Sequence, residues 1–504
     1  MIEQGRQLAR NIATSWAGYG LRAVISLFFV PFITAVLGDA RYGVWVIVFQ
    51  TINYFVLLDF GLEKALLRFI SRHLSQRQFD TINRILNTAF GLYLLLGAAI
   101  IAGTWLTATF LFGLVKVDDP GLIAEGAAAL KIVGIYMGLR FFFMPFAGSL
   151  GGFQRFDIGN GLQMIEDFLR TGIMVWLLYQ GYGLAALAWT IVGVSLARQI
   201  AAFVVLRRLH REVRVRPADF NKQQARELFR YSKITFGITA TWLVIFNTDT
   251  VLLGLLASAA TAGVYAPGAM LMLYFRHIVN AVATPLTTTI SHYEAAGDWD
   301  QIRSLYLRGL RYTSYVAFAV AAGVALYARP FVHLWLEPEF FEAAEVMRIL
   351  AVGSAFFVPQ IIGNAVLFGT DKHRYLLRVT ALEAAAKLAL SIILIIPYGL
   401  TGMAWAAALP QIMIYVTLYP WYMSQVLDIP MPTIMLNALR SGAVALFATV
   451  PIEVIMRTAM APDSWFTFLA DIGVVILAVI AAGWLIVAKE DKQRIRALLR
   501  RSGR

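Results

Sequence analysis

Tyr182-Gly183-Leu184…Ala188-Trp189 recurs 216 residues later as Tyr398-Gly399-Leu400…Ala404-Trp405. Each copy of this Tyr-Gly-Leu-x-x-x-Ala-Trp pattern opens a long apolar segment. Each also follows, by about thirty residues, a short polar hinge, at 152–155 and at 369–374. Internal repeats of this kind are typical of secondary transporters built from two related lobes around a central site. The repeat therefore predicts a two-lobed architecture.

The composition places this architecture in a membrane. Of the 504 residues, 59% are apolar and 14% are charged, whereas a soluble domain carries about 25% charged residues. Nearly uncharged stretches recur along the whole chain, each about 20–25 residues long, which is the length of a membrane-spanning helix. The alternating pattern of a membrane β-barrel is absent. We therefore predict an all-α polytopic membrane protein.

Hydropathy predicts about fourteen transmembrane helices, arranged as two pseudo-symmetric six-helix lobes plus two C-terminal helices. The predicted N-lobe is 1–206, a basic cytoplasmic linker is 207–231, and the C-lobe is 232–424. The two extra helices lie within 425–487, and a basic tail follows at 488–504. The predicted spans are 12–37, 43–66, 85–112, 126–148, 161–180, 184–206, 232–257, 264–290, 312–336, 344–368, 377–397, 402–424, 437–458 and 466–487.

The basic residues predict the orientation. Arginines and lysines concentrate in alternate connections and in the tail, and the other connections hold almost none. The positive-inside rule assigns the basic side, and with it both termini, to the cytoplasm. The formal net charge of +13 is thereby explained without a nucleic-acid partner. The tail is interpreted as a topology determinant at an anionic leaflet.

The sequence argues against an enzyme. It has no cysteine, and it contains no phosphate-binding Gly-Lys element, no His-Glu-x-x-His and no Gly-x-Ser-x-Gly. The predicted outer loops are short, the longest being about 113–125, whereas membrane enzymes that act on sugars need a sizeable outer loop or domain. No metal site is predicted.

Three arginines lie near the middle of predicted spans, where a charged side chain costs roughly 2.5–3.5 kcal/mol on insertion scales. Arg22 shares a polar helix face with Ser26, Arg276 shares one with Asn280, and Arg140 follows a tyrosine by one turn. We predict that Arg22, Arg140, Arg276 and Asn280 line a hydrated cationic cavity suited to an anionic ligand, since arginine pairs well with phosphate oxygens. The alternative is that each arginine pairs with a buried carboxylate such as Asp59 or Asp249.

Carboxylates provide the candidate coupling and gating residues. Asp59 and Glu63 lie near the inner end of the second span, and Asp249 lies in the seventh. Asp249 is a candidate carrier of a coupling proton or sodium ion, or a structural partner of a cavity arginine.

Two further charge groups have the spacing of local helical ion pairs, which favours a structural interpretation. Their members are Glu166, Asp167 and Arg170 in the fifth span, and Glu383 and Lys387 in the eleventh. Asp167 and Glu383 occupy equivalent positions of the repeat.

Together these features resemble the polysaccharide-transporter (Wzx-type) branch of the multidrug/oligosaccharidyl-lipid/polysaccharide (MOP) exporter superfamily. The resemblance covers nearly the full length. Its motifs are Leu37-Gly38-x-x-x-Tyr42-Gly43-x-Trp45, Asp59-x-Gly61-Leu62, Gly152-x-x-Arg155, Asn247-x-Asp249, Gly263-x-Tyr265 and Pro285.

The resemblance implies a flippase that moves an undecaprenyl-diphosphate-linked oligosaccharide across the bacterial inner membrane by alternating access. Such a protein would need no cofactor beyond a coupling ion, either a proton or Na⁺. Its expected partners are the lipid-linked oligosaccharide and inner-membrane lipids, with a polysaccharide polymerase and a chain-length regulator as candidate protein partners. Arg22 and Arg276 match the family's basic residues by helix and depth. The alternatives are a multidrug or peptidoglycan-precursor exporter of the superfamily, and a membrane polymerase or ligase.

Overall fold

The structure is a computed structural model that describes residues 2–75, 78–117, 119–153, 155–214, 220–459, 463–487 and 492. These residues form helices and connecting turns, with no β-strand among them, which confirms the all-α class. The chain divides into two compact units, Met1–Gly263 and Val264–Arg504. The basic tail, apart from residue 492, lies outside the described residues, as do residues 215–219 of the linker.

The first unit contains nine helices and the start of a tenth. They are α1 (Ile2–Tyr54), α2 (Leu62–Ser75), α3 (Phe79–Leu111), α4 (Pro120–Ala147), α5 (Ser149–Gly152), α6 (Phe156–Tyr179), α7 (Leu184–Leu209), α8 (Lys222–Asn247), α9 (Asp249–Leu256) and α10 (Ala259–Ala295). A 3₁₀ segment, Phe55–Asp59, joins α1 to the turn before α2. The most extensive helix packing in the first unit is between α3 and α4 and between α4 and α7, followed by α1 against α6.

The second unit begins inside α10 and continues through seven more helices. They are α11 (Trp299–Trp335), α12 (Ala343–Phe357), α13 (Ile361–Gly369), α14 (Arg374–Met413), α15 (Tyr419–Leu427), α16 (Met431–Ala459) and α17 (Trp465–Ile486). A π-helical segment, Ile414–Leu418, joins α14 to α15. The two C-terminal helices pack on α11, where the Tyr315 hydroxyl donates to the carbonyl of Val479 at 2.5 Å.

Single glycines mark the kinks at which two pairs of predicted spans meet, one within α1 and one within α14. Gly38 interrupts α1 with φ 71°, between the predicted spans 12–37 and 43–66. Gly399, within the second copy of the repeat, interrupts α14 with φ 53°. Glycine adopts a positive φ without the steric penalty that a side chain would bring. Both breaks are therefore fixed by the residue type at one position.

Nine stretches of the described helices are long and apolar enough to cross a bilayer, and a tenth follows if the bent pair α8–α9 counts as one span. Two of the nine, Gly20–Asp59 and Arg374–Leu427, run for 40 and 54 residues. A single crossing needs only about 20 residues, so each has the length of two. The multi-pass membrane architecture is confirmed. The count of fourteen spans and the lobe boundaries at 206 and 232 stay predictions.

Small residues bring α1 and the start of α10 into close contact within the first unit. A Cβ at Gly43 would lie 1.7 Å from the carbonyl oxygen of Ala259, and one at Gly263 would lie 2.3 Å from that of Asp39. Membrane helices associate through such small-residue contacts because lipid offers no hydrophobic driving force between them. Both glycines are needed for the spacing of these two helices.

Lys116 reinforces the same region from the connection before α4. Its backbone N–H donates to the carbonyl of Gly254 at 3.0 Å, and its carbonyl accepts from the N–H of Ala259 at 3.2 Å. Its ammonium group donates to the carbonyl of Leu256 at 2.8 Å, at the C-terminus of α9, where the helix dipole favours a cation. One residue thus ties α9 and α10 to the loop after α3.

The glycine contact predicts a large effect of a single methyl group. Gly43→Ala should lower the thermal unfolding midpoint of the purified protein, because overpacking costs roughly 1–3 kcal/mol and the Ala259 backbone cannot yield as a side chain would. Gly20→Ala is the matched control, since nothing lies within 4 Å of its added Cβ on the same helix. Equal midpoints for the two variants would contradict the close contact.

Candidate functional site

Two adjacent carboxylates, Glu166 and Asp167, are buried in the middle of the first unit on α6, with side chains 3% and 4% exposed. Arg170 bridges them from the next turn, with Nη2 2.9 Å from Asp167 Oδ1 and Nη1 3.5 Å from Glu166 Oε1. Arg198 of α7 pairs with Glu166. Arg22 of α1 approaches Asp167, with Nε 3.8 Å from Oδ2. Three helices therefore meet at one buried acidic pair.

Neutral side chains complete this α6 cluster. The Ser195 hydroxyl donates to Glu166, and the Gln163 amide donates to Glu166 Oε2 at 3.2 Å and to Asp167 Oδ1 at 3.0 Å. A buried carboxylate stays charged only when cations and hydrogen-bond donors replace its lost hydration. The donors here replace part of the hydration that these carboxylates lose on burial.

The α6 cluster carries a surplus cation among its described groups, since cations outnumber carboxylates by one. Three guanidinium groups contact the two carboxylates. Arg22 makes the longest of the ion-pair contacts, at 3.8 Å, and its side chain is 40% exposed, compared with 18% for Arg198. Its Nε also donates to the carbonyl of Gly18 at 3.2 Å. Arg22 is thus the arginine of the cluster best placed to meet an added anion.

Sequence analysis considers Asp59 as a possible ion-pair partner of a buried arginine such as Arg22. In the structure its hydrogen-bond partners are different. It ends the 3₁₀ segment before α2, and the following residues Phe60 and Gly61 both have positive φ. The N–H of Glu63 donates to Asp59 Oδ1 at 3.3 Å, and the Tyr93 hydroxyl of α3 donates to the same oxygen. Asp59 therefore caps α2, and the side chain of Glu63 is exposed.

Arg140 of α4 lies near this cap. It is half-buried, it interacts electrostatically with the Tyr93 phenol, and its Nη1 is 3.9 Å from the sulfur of Met137. It forms no ion pair with a residue that the structure describes. The anion-binding role that the sequence predicts for Arg140 stays a prediction.

Asp249 begins α9 at a break in the helix. The α8–α9 axis bends by 50° there, and the break is fixed to the end of α1 by Thr248, whose hydroxyl lies 2.5 Å from that of Tyr54. The Asn53 amide donates to Asn247 at 3.4 Å. Broken spans with a carboxylate at a half-helix N-terminus are typical of transporter ion and substrate sites.

The second unit contains a related cluster around Glu383 on α14, whose side chain is 1% exposed. The Tyr415 hydroxyl, within the π-helical segment, donates to Glu383 Oε2 at 2.8 Å, and Gln411 is hydrogen-bonded to the same carboxylate. Lys387, one turn along α14 and 2% exposed, and Arg276 of α10 both interact electrostatically with it. Two cations therefore lie near this one buried carboxylate.

Asn280 accompanies Arg276 on α10, as the spacing predicts. Its amide donates to the carbonyl of Arg276 at 3.1 Å, and its side chain is exposed. The structure thus brings Arg22 together with Asp167, and Arg276 together with Glu383. The binding, coupling and gating roles assigned to these residues stay predictions.

Sequence analysis missed Arg198, Ser195, Gln411 and Tyr415. A signal for two of them was present in the repeat. Asp167 and Glu383 differ by 216 positions, and so do Ser195 and Gln411, which each donate to a carboxylate of their own cluster. Extending the repeat offset from the Tyr-Gly-Leu pattern to polar positions would have found this pair.

The fold defines a multi-pass helical membrane protein. The family model described as "Polysaccharide biosynthesis protein" matches residues 33–345, more than half of the chain. The chain therefore belongs to this family.

Individual relatives agree with this assignment. The chain is 22% identical to the uncharacterized membrane protein EpsK of Bacillus subtilis over 96% of both chains. It is 19% identical to a putative O-antigen transporter of Shigella flexneri, over 79% of this chain and 93% of the relative. A solved structure of the lipid II flippase MurJ, in an inward closed conformation, aligns with a TM-score of 0.73 and 14% identity, covering 94% of this chain and 98% of MurJ. The structural likeness confirms the expected transporter fold.

The α6 cluster predicts strong coupling between Glu166 and Arg198. Glu166→Gln should lower the thermal midpoint markedly, because a buried charge left without its partner costs about 3–5 kcal/mol. The double variant Glu166→Gln/Arg198→Gln should recover part of the loss. The exposed pair Arg329–Glu345 is the control, where each loss is about 0–1 kcal/mol. Additive losses at Glu166 and Arg198 would contradict the buried pair.

Proposed function

We propose that the protein is a flippase that carries an undecaprenyl-diphosphate-linked oligosaccharide from the cytoplasmic to the outer leaflet of a bacterial inner membrane. In this orientation both termini are cytoplasmic. The observation that carries the proposal is the surplus cation of the α6 cluster, with Arg22 partly exposed at its edge. The family and the relative described as a putative O-antigen transporter support the substrate class.

A diphosphate is a suitable ligand for such a cluster on physical grounds. Arginine presents a planar fork of donors that matches phosphate oxygens, and it keeps its charge in a poorly hydrated site. Asp167 keeps Arg22 compensated when no substrate is bound, so the empty site does not carry a bare cation. The diphosphate then either displaces Asp167 from Arg22 or binds Arg22 alongside it, because the contact between the two side chains is long, at 3.8 Å. Arg140, and Arg276 with Asn280, are the further candidate contacts of the head group.

Asp249 and Asp59 are the candidate coupling and gating residues of this proposal. Asp249 lies at a helix break, where a change in protonation or cation binding can alter the bend between α8 and α9. Asp59 caps α2 through the N–H of Glu63, so a change at Asp59 would act on the start of that helix. The coupling ion is a proton or Na⁺.

A multidrug exporter is the second candidate, since the superfamily includes such proteins. Cationic drugs favour a cavity with surplus carboxylates, whereas cations outnumber carboxylates among the described groups of the α6 cluster. A peptidoglycan-precursor flippase would share the diphosphate chemistry and differ only in the sugar. A polymerase or a ligase of polysaccharide assembly would act on a substrate that has already reached the outer leaflet, so its loss would not trap the substrate on the cytoplasmic face.

The decisive experiment follows lipid-linked oligosaccharide in a deletion strain, sorted by leaflet and by repeat-unit length. Completed single units trapped on the cytoplasmic face are expected. Units that reach the outer face but stay unpolymerised would instead indicate an enzyme, and an unchanged lipid-linked pool would indicate a drug exporter.

The cationic site is tested by substitution in the complemented strain. Arg22→Gln and Arg276→Gln should each reduce export at least about tenfold, equivalent to about 1.4 kcal/mol, at unchanged protein level in the membrane. Arg22→Lys and Arg276→Lys should recover only part, because lysine keeps the charge but loses the bidentate geometry. Arg329→Gln, at an exposed ion pair, is the control. Normal export by Arg276→Gln would remove the main support for the site.

A further inference from the structure

Three polar side chains are buried at the N-terminal end of α3 although no membrane charge cluster lies there. Asn83 is 8% exposed, and Asn87 and Thr88 are fully buried. Buried amides and hydroxyls are stable only when their hydrogen-bonding groups have partners. Here the partners belong to the segment that follows α7, more than 120 residues away in the sequence.

The bonds from α3 are directed at the main chain of that segment. The Asn83 amide donates to the carbonyl of Glu212 at 2.8 Å, and its oxygen accepts from the N–H of Arg214 at 2.8 Å. The Asn87 amide donates to the carbonyl of Arg214 at 2.9 Å. Thr88 accepts from the N–H of Asn221 at 3.0 Å, which is also the N-cap of α8. The linker is therefore anchored on both sides of residues 215–219.

The linker also packs against the α5–α6 turn. The His210 ring stacks on Phe153, with centroids 4.1 Å apart and planes inclined by 25°, and Val213 is fully buried. Burial lowers the pKa of His210, so its ring is neutral at neutral pH and suited to stacking on an apolar ring. The segment 207–214 is thus a structured surface and not a free tether.

Four arginines project from this surface. Arg207 and Arg208 lie in the last turn of α7, and Arg211 and Arg214 follow in the anchored loop; all four are exposed. None forms an ion pair with a residue that the structure describes. Glu212 is the only acidic residue in 207–214, so the segment has a formal charge of +3.

We propose that segment 207–214 is a binding surface for the phosphate groups of anionic phospholipids. Arg207 and Arg208 lie where α7 ends its apolar span, which is the depth of the lipid head groups. Arg211 and Arg214 are held beside them by the α3 anchors. A fixed set of guanidinium groups binds phosphate oxygens with less loss of conformational freedom than a flexible basic segment. The surface is separate from the α6 and Glu383 clusters, and the proposal does not depend on the transported substrate.

The experiment measures binding of fluorescent phosphatidylglycerol to the full-length protein in mild detergent. Competition by unlabelled phosphatidylglycerol, with little competition by phosphatidylcholine or inorganic phosphate, is expected. Equal competition by inorganic phosphate would overturn the lipid as ligand, and equal competition by phosphatidylcholine would overturn the role of the anionic head group.

Two variants separate charge from anchoring. Arg207→Gln/Arg208→Gln/Arg211→Gln/Arg214→Gln should weaken binding about tenfold or more at moderate salt, and exposed positions make misfolding a minor concern. Asn83→Ala/Asn87→Ala keeps every charge but removes the anchors. It should weaken binding severalfold, which is less than the effect of the four-arginine variant. Wild-type affinity in either variant would overturn the proposal of a fixed phosphate-binding surface.

The control removes the same number of charges elsewhere. The variant carries glutamine in place of four exposed arginines outside this segment, Arg41, Arg329, Arg374 and Arg440. It should bind phosphatidylglycerol as the wild type does. A loss equal to that of the segment 207–214 variant would mean that net charge alone governs binding, and would overturn the assignment of a site.

Discussion

Burial of carboxylates in an apolar helix bundle is the constraint on which the site depends. Glu166 and Asp167 are compensated by Arg170 and Gln163 of α6 itself, by one arginine from each of α1 and α7, and by a hydroxyl donor of α7. These contacts fix the faces that three helices turn toward each other, as small-residue packing alone would not. Electrostatic compensation thus acts here as a device for helix orientation, and the surplus cation is its by-product.

The second unit solves a similar problem with different residues. Glu383 is compensated by a lysine on its own helix, by an arginine on α10 and by a tyrosine of the π-helical segment. A π-helical turn places one extra residue in a helix and is often found at functional sites. The repeat therefore preserves a buried acid with cations beside it, while the identity of the donors differs between the two clusters.

Hydropathy and the repeat were sufficient to predict the helical membrane architecture, because span length and apolar composition are local properties of the chain. Local ion pairs such as Asp167–Arg170 were predictable for the same reason, since helical spacing determines them. The pairs Arg22–Asp167 and Arg198–Glu166 were not, because they depend on how distant helices rotate about their axes. Asp59 was considered as an arginine partner, yet its position beside Gly61 makes it a helix cap. Sequence analysis predicts a connection of several residues between the spans 12–37 and 43–66. The structure has only a kink there, at Gly38 with its positive φ, between two helices.

The anchoring of segment 207–214 to α3 has a consequence for which sequence changes that segment can accept. Asn83 and Asn87 bind only main-chain atoms of the segment, namely the carbonyl of Glu212 and both polar groups of Arg214. These bonds use no side-chain atom of residues 211 and 214, whereas Glu212 interacts electrostatically with the stacked His210 ring. Substitutions at 211 and 214 therefore leave these bonds in place and can change charge in either direction. The loop is a natural place to graft new recognition without redesigning the membrane domain.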